Sequence, residues 1–264
     1  MKRNLLLLAM VICTFSVFAQ GSKELTLKDI TSGEYRSEGM RGLTPMADGE
    51  TYLQMNQERT KIIKYSFKNG KEIETIFVTT ARDCKFKTFD GYILSPDETK
   101  LLIQTETAPI YRRSFTAIYH IFSIKNNKLE PLSDGGPQQV PLFSPDGQQI
   151  AFVRENNIYL VKLLYGNSES QVTKDGKFGE VLNGIPDWVN EEEFGYNRAF
   201  DFSADSKMIA FIRFDETKVP MFSFMLYEGQ YPTLKQYASY PGTYSYKYPL
   251  AGMTNSTVTV HTYD

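Results

Sequence analysis

Three segments of the chain share one layout, and that layout constrains the fold more than anything else in the sequence. They are LSPDETKLLIQ (94–104), FSPDGQQIAFV (143–153) and FSADSKMIAFI (202–212), with TPMADGETYLQM (44–55) as a weaker copy. Each places an Asp-centred tight turn ahead of a short, continuous apolar run. Runs of this length and composition predict buried strands. The equivalent aspartates are Asp48, Asp97, Asp146 and Asp205, spaced 49, 49 and 59 residues apart. Strand-rich text fills the intervals. AIYHIFSIKNNKLEPLS alternates and then turns at Asn126-Asn127, and NNIYLVKL follows IAFVRE after another Asn-rich turn.

A period near 50 residues with several strands per unit predicts an all-β chain built as a β-propeller. Four blades account for the sequence. The longer third interval leaves room for an insertion, and GIPDWVNEEEFGY (184–196) falls there. No sustained helical periodicity is visible. The richness in Tyr (17) and Phe (18) agrees with strands. A net charge of −2 offers no basic footprint for nucleic acid.

The N-terminus reads as an export signal. Lys2 and Arg3 precede an apolar run from Leu5 to Phe18, with a cut expected after Ala19. The run is shorter than the ~20 residues that span a bilayer. The expectation is a signal peptide at 1–19, a mature chain over 20–264, and an exported location, periplasmic or associated with the cell envelope. Only Cys84 then remains, so no internal disulfide forms and the core alone must stabilise the fold. Cys84 reads as a half-buried thiol. His120 and His261 have no metal or triad context and read as structural. Asn255 begins an Asn-Ser-Thr sequon, relevant only where exported proteins are glycosylated. No metal site and no cofactor are expected.

Glu191, Glu192 and Glu193 follow the only tryptophan, Trp188. Three adjacent carboxylates repel one another, so either they are a solvated face or a cation sits against them. The segment GIPDWVNEEEFGYNRAFDFSADSKMIAFIRFDETKVP (184–220), together with YRRSFTAIYHIFSI (111–124), resembles the propeller of dipeptidyl peptidase IV enzymes, in the prolyl oligopeptidase family of serine peptidases. DWV-x-EEE is the specific part, the likeness runs from about residue 25 onward, and FGYNRAF points to the bacterial branch.

The resemblance implies that Glu192 and Glu193 bind the free α-amino group of a peptide substrate. It also implies that Arg112 contacts the carbonyl of the first residue, with the neighbouring Arg113 as the alternative. It further implies an eight-bladed propeller that gates access to a following α/β-hydrolase domain with a Ser-Asp-His triad. The activity implied is release of N-terminal dipeptides with proline or alanine at the second position, and a homodimer is a candidate assembly. No GxSxG elbow occurs in these residues, so this chain is expected to be an N-terminal portion that carries no catalytic residue and lacks hydrolysis of its own. The other reading is a non-catalytic exported propeller that binds peptides or protein partners.

Overall fold

The structure, a computed structural model, describes residues 24–37, 39, 42–80, 84–226 and 242–264. The expected signal peptide at 1–19 lies outside the described residues. The chain divides into two units, residues 1–41 and 42–264. In the first, helix α1 (Leu27–Ser32) starts with a reciprocal cap: Asp29 N–H donates to Thr26 Oγ1, and Thr26 N–H donates back to the Asp29 carboxylate.

The second unit is a series of antiparallel sheets in chain order. The first contains β1 (Leu43–Pro45), β2 (Thr51–Met55), β3 (Lys61–Ser66) and β4 (Glu72–Val78). The second contains β5 (Gly91–Leu94), β6 (Lys100–Pro109), β7 (Phe115–Ser123) and β8 (Lys128–Pro131). The third contains β9 (Gln139–Phe143), β10 (Gln149–Arg154), β11 (Asn157–Lys162) and β12 (Ser168–Gln171). In each, successive strands are neighbours, the up-and-down order of a propeller blade.

The apolar runs are continuous because the middle strands are buried on both faces. Along β10, Ile150 and Phe152 point into a core shared with Leu102, Tyr119 and Phe143. The alternate residues Ala151 and Val153 point into a second core with Phe200, Ile209 and Phe211. Leu101 and Ile103 of β6 turn the other way, toward Leu53, Ile62 and Phe77. Consecutive blades therefore pack face to face, and the chain is a partial β-propeller, as the repeats predict.

The repeated turn joins the first and second strands of each blade, and its serine explains the recurrence. Ser95, Ser144 and Ser203 each donate to the aspartate two residues on, Asp97, Asp146 and Asp205, at 2.6 Å. The same hydroxyl accepts the N–H that restarts the ladder, from Lys100, Gln149 and Met208 at 2.9 Å. Asp48 achieves the closure differently, accepting from Thr51 Oγ1 at 2.6 Å. Neighbouring turns also touch: Lys100 Nζ donates to Gly147 O, and Asp146 N–H to Ser206 Oγ.

The fourth blade departs from this plan. β13 (Val181–Asn183) and β14 (Phe200–Phe202) pair with successive parts of β15 (Ile209–Asp215), and β18 (Thr257–Tyr263) also pairs with β15. The expected insertion is residues 184–199, which interrupt the β13–β14 line. It contains a short helix, α2 (Trp188–Phe194), rather than the turn expected from sequence. Between β15 and β18 the chain forms a separate hairpin of β16 (Met221–Leu226) and β17 (Gly242–Lys247).

Candidate functional site

Helix α2 is delimited at both ends by side-chain chemistry. Asp187 caps its start, accepting from Asn190 N–H at 2.9 Å and from Asn190 Nδ2 at 2.8 Å. The other Asp187 oxygen accepts from the Ser256 hydroxyl. Gly195 ends the helix in the left-handed region, at φ 76°, where a side chain would be strained.

Neighbouring residues on a helix project about 100° apart, so the three glutamates do not face one another. Glu191 is 1 % exposed. Its Oε1 accepts Arg113 N–H at 2.7 Å and Ser114 N–H at 2.9 Å, while its carbonyl accepts Arg113 Nη1 at 3.2 Å. Glu192 is half-buried, and its Oε2 lies 2.8 Å from Arg112 Nε. Glu193 is exposed. The solvated-face reading therefore fails at Glu191, a buried acceptor that anchors the 111–114 loop to α2.

The three residues singled out from sequence come together, although Arg112 and Glu192 stand 80 positions apart. The two arginines divide the work. Arg113 is turned onto the helix backbone, whereas Arg112 is 73 % exposed beside Glu192. Asn197 Nδ2 donates to Arg113 O at 2.9 Å and adds a second tie between the loop and the insertion. An exposed ion pair is worth only ~0–1 kcal/mol, so the Arg112–Glu192 pair opens readily to a ligand. The last turn of α2 holds acids and no base. The negative end of the helix dipole thus adds to the pull on a cation there.

A cavity of about 660 Å³ lies against α2, with Tyr111, Ser114, Asp187, Trp188, Glu191 and Glu216 in its wall. Burial and, after it, the nearby Asp187 charge push the Glu216 carboxyl up to about 7, with Lys247 pulling the other way. The native group thus keeps its proton to higher pH than the unfolded one. Its contribution to stability is full below about pH 4.5 and is lost as pH rises through about 7. Glu216→Gln is expected to flatten that part of the stability curve, by on the order of 3 kcal/mol across the window. Urea midpoints between pH 4 and 8 that fall in parallel for both proteins would refute it. Sequence reasoning did not single out Glu216, because its partner Asp187 lies 29 residues away.

The remaining singled-out residues have structural surroundings. Cys84 is partly buried, its Sγ donates to Phe86 O at 3.2 Å, and burial raises its pKa. The His120 ring lies 5.0 Å from that of Phe86, and burial lowers its pKa. His261 stacks on Phe211 at 5.4 Å. Asn255 is exposed. Among the described residues no group of three or more His, Cys, Asp or Glu could hold a metal ion.

Comparison with known proteins gives one consistent picture. Residues 95–264 match the family described as "Dipeptidyl peptidase IV (DPP IV) N-terminal region". The bovine (Bos taurus) protein named prolyl endopeptidase FAP is 30% identical over 245 residues, covering 92% of this chain and 30% of that protein. A probable dipeptidyl-aminopeptidase B of Talaromyces stipitatus is 38% identical over 190 residues, covering 66% of this chain and 21% of its own. The crystal structure of Porphyromonas gingivalis dipeptidyl peptidase 4 superposes with a TM-score of 0.83 at 42% identity, over 93% of this chain and 34% of that one. The chain thus spans about a third or less of the length of these relatives.

Proposed function

Since the chain belongs to the dipeptidyl peptidase IV N-terminal region family, we propose that it supplies the amine-binding part of an exported serine exopeptidase that releases N-terminal dipeptides. The observation that carries this reading is the Arg112–Glu192 contact of 2.8 Å beside the exposed Glu193. The ammonium nitrogen and carbonyl oxygen of one residue are about 3 Å apart, given their bond lengths. A substrate's first residue therefore fits across the pair, with its ammonium on the two carboxylates and its carbonyl oxygen on the guanidinium. Charge-assisted hydrogen bonds of this kind are stronger than neutral ones.

Fixing the amine also fixes the product length. Two extended residues span ~7 Å, so a nucleophile held at that distance reaches only the second peptide bond. The Ser-Asp-His triad belongs, in this reading, to the rest of a longer polypeptide, and the propeller gates access to it. The basic, then apolar, first 19 residues support export to the periplasm or cell envelope, with a mature chain starting at Gln20. A homodimer is the proposed assembly.

The test uses the full-length protein, purified from the exported fraction and checked by N-terminal sequencing for a start at Gln20. A Gly-Pro chromogenic substrate should be cleaved, and its N-acetylated form should not. Activity through the amine should fall as pH passes the α-amino pKa near 8. The name of the bovine relative favours a second reading, an endopeptidase. Equal cleavage of free and acetylated peptides would select it and end the amine-clamp reading.

A further inference from the structure

Neither half of the clamp can hold its own position. Helix α2 has seven residues, too few to be stable alone, and Arg112 lies on a loop between β6 and β7. Glu191 ties the two halves to each other, but a tie between two weakly held segments sets their separation and not their placement. The β16–β17 hairpin is the element that touches both. Tyr246 of β17 has its ring centroid 5.8 Å from that of Tyr111, the residue before Arg112. The same ring lies 5.9 Å from that of Trp188, the first residue of α2.

The hairpin reinforces both contacts. The Tyr244 hydroxyl donates to Ile110 O at 3.4 Å, and the Tyr248 ring lies 4.5 Å from that of Trp188. From β16, Phe222 and Phe224 pack against Tyr246 at 6.4 and 6.1 Å. Burial, then the neighbouring Tyr248 and Glu192, raise the pKa of the Tyr246 hydroxyl, which places Glu192 within its electrostatic reach. The ring faces make these contacts, and aromatic pairs at such distances are attractive beyond their buried area.

We propose that Tyr246 is a positioning residue for the amine clamp, its ring wedged between Tyr111 and Trp188 so that Arg112 and the last turn of α2 keep the spacing of a substrate's first residue. This rests on the amine-clamp reading above. Tyr246 does not touch the substrate; it acts through Tyr111 and Trp188.

The test compares Tyr246→Ala, Tyr246→Phe and Glu192→Gln, and the Ala and Gln changes combined, in the full-length protein with a Gly-Pro chromogenic substrate. Tyr246→Ala should raise KM about tenfold and leave kcat within about twofold, because the clamp holds ground state and transition state alike. Tyr246→Phe should restore the wild-type KM, since it keeps the ring. In the Glu192→Gln background Tyr246→Ala should cost much less than in the wild type. Should Tyr246→Ala fail to fold, Tyr246→Leu keeps apolar volume without the flat ring and reads the same quantities. A wild-type KM in the Ala or Leu variant, or the same loss with and without Glu192, overturns the proposal. Glu192→Gln impaired beside an unimpaired Tyr246→Ala ends the positioning role alone. An unimpaired Glu192→Gln removes the clamp reading and this inference with it.

Discussion

Glu192→Gln in the full-length protein is expected to cut kcat/KM for a dipeptidyl substrate by roughly 10- to 150-fold. The substitution keeps shape and one oxygen acceptor but removes the charge that faces the ammonium. A hydrogen bond to a charged group is worth ~1.5–3 kcal/mol, and ~1.4 kcal/mol is a factor of ten. Glu193→Gln should act in the same direction toward the low end of that range, because Glu193 is exposed and better screened than the half-buried Glu192. Arg112→Lys keeps the positive charge but loses the planar fork, so it should recover only part of the activity lost in Arg112→Ala. Acetylation supplies the control. A substrate without the amine has nothing to lose at Glu192, and its residual rate should be the same in wild type and variant. A kcat/KM within twofold of wild type for both glutamine variants would return residues 191–193 to an ordinary acidic surface.

Much of the architecture was legible because it repeats. The Ser-x-Asp turns recur at fixed intervals, and the same hydrogen-bond closure holds at Asp97, Asp146 and Asp205. The apolar runs after them are buried on both faces, which is why IAFV shows no alternation. Helix α2 was not legible as a helix. Its seven residues make about two turns, too few for a 3.6-residue period to emerge. Its ends were nevertheless written in the text, as Asp187 at the cap and Gly195 at the exit.

The site itself was legible only by resemblance. No local rule connects Arg112 to Glu192, because their contact depends on how the second blade's β6–β7 loop meets the fourth blade's insertion. The same limit hid Tyr246, whose two ring partners lie 135 and 58 residues away in sequence. The division of labour between Arg112 and Arg113 was equally invisible, since it follows from which of them the α2 backbone captures.

Glu191→Ala separates the three glutamates by stability rather than by activity. The Glu191 carboxylate is the acceptor for two backbone N–H groups, at Arg113 and Ser114, and both the glutamate and Ser114 are buried. Alanine leaves those donors without a partner, at ~1–3 kcal/mol for each that water cannot reach. A loss of about 2–4 kcal/mol is expected, or ~5–15 °C in Tm at ~2–4 °C per kcal/mol for a domain of this size. Glu191→Gln keeps an oxygen that can accept both bonds and should lose less than about 1 kcal/mol. Glu193→Ala, at an exposed position, should stay within ~0.5 kcal/mol of wild type. The alanine at 191 should also raise KM, because the freed 111–114 loop no longer holds Arg112 against Glu192. Thermal denaturation of the three variants decides the matter. If Glu191→Ala melts with Glu193→Ala and the wild type, the carboxylate does not anchor the loop, and the placement of Arg112 needs another cause.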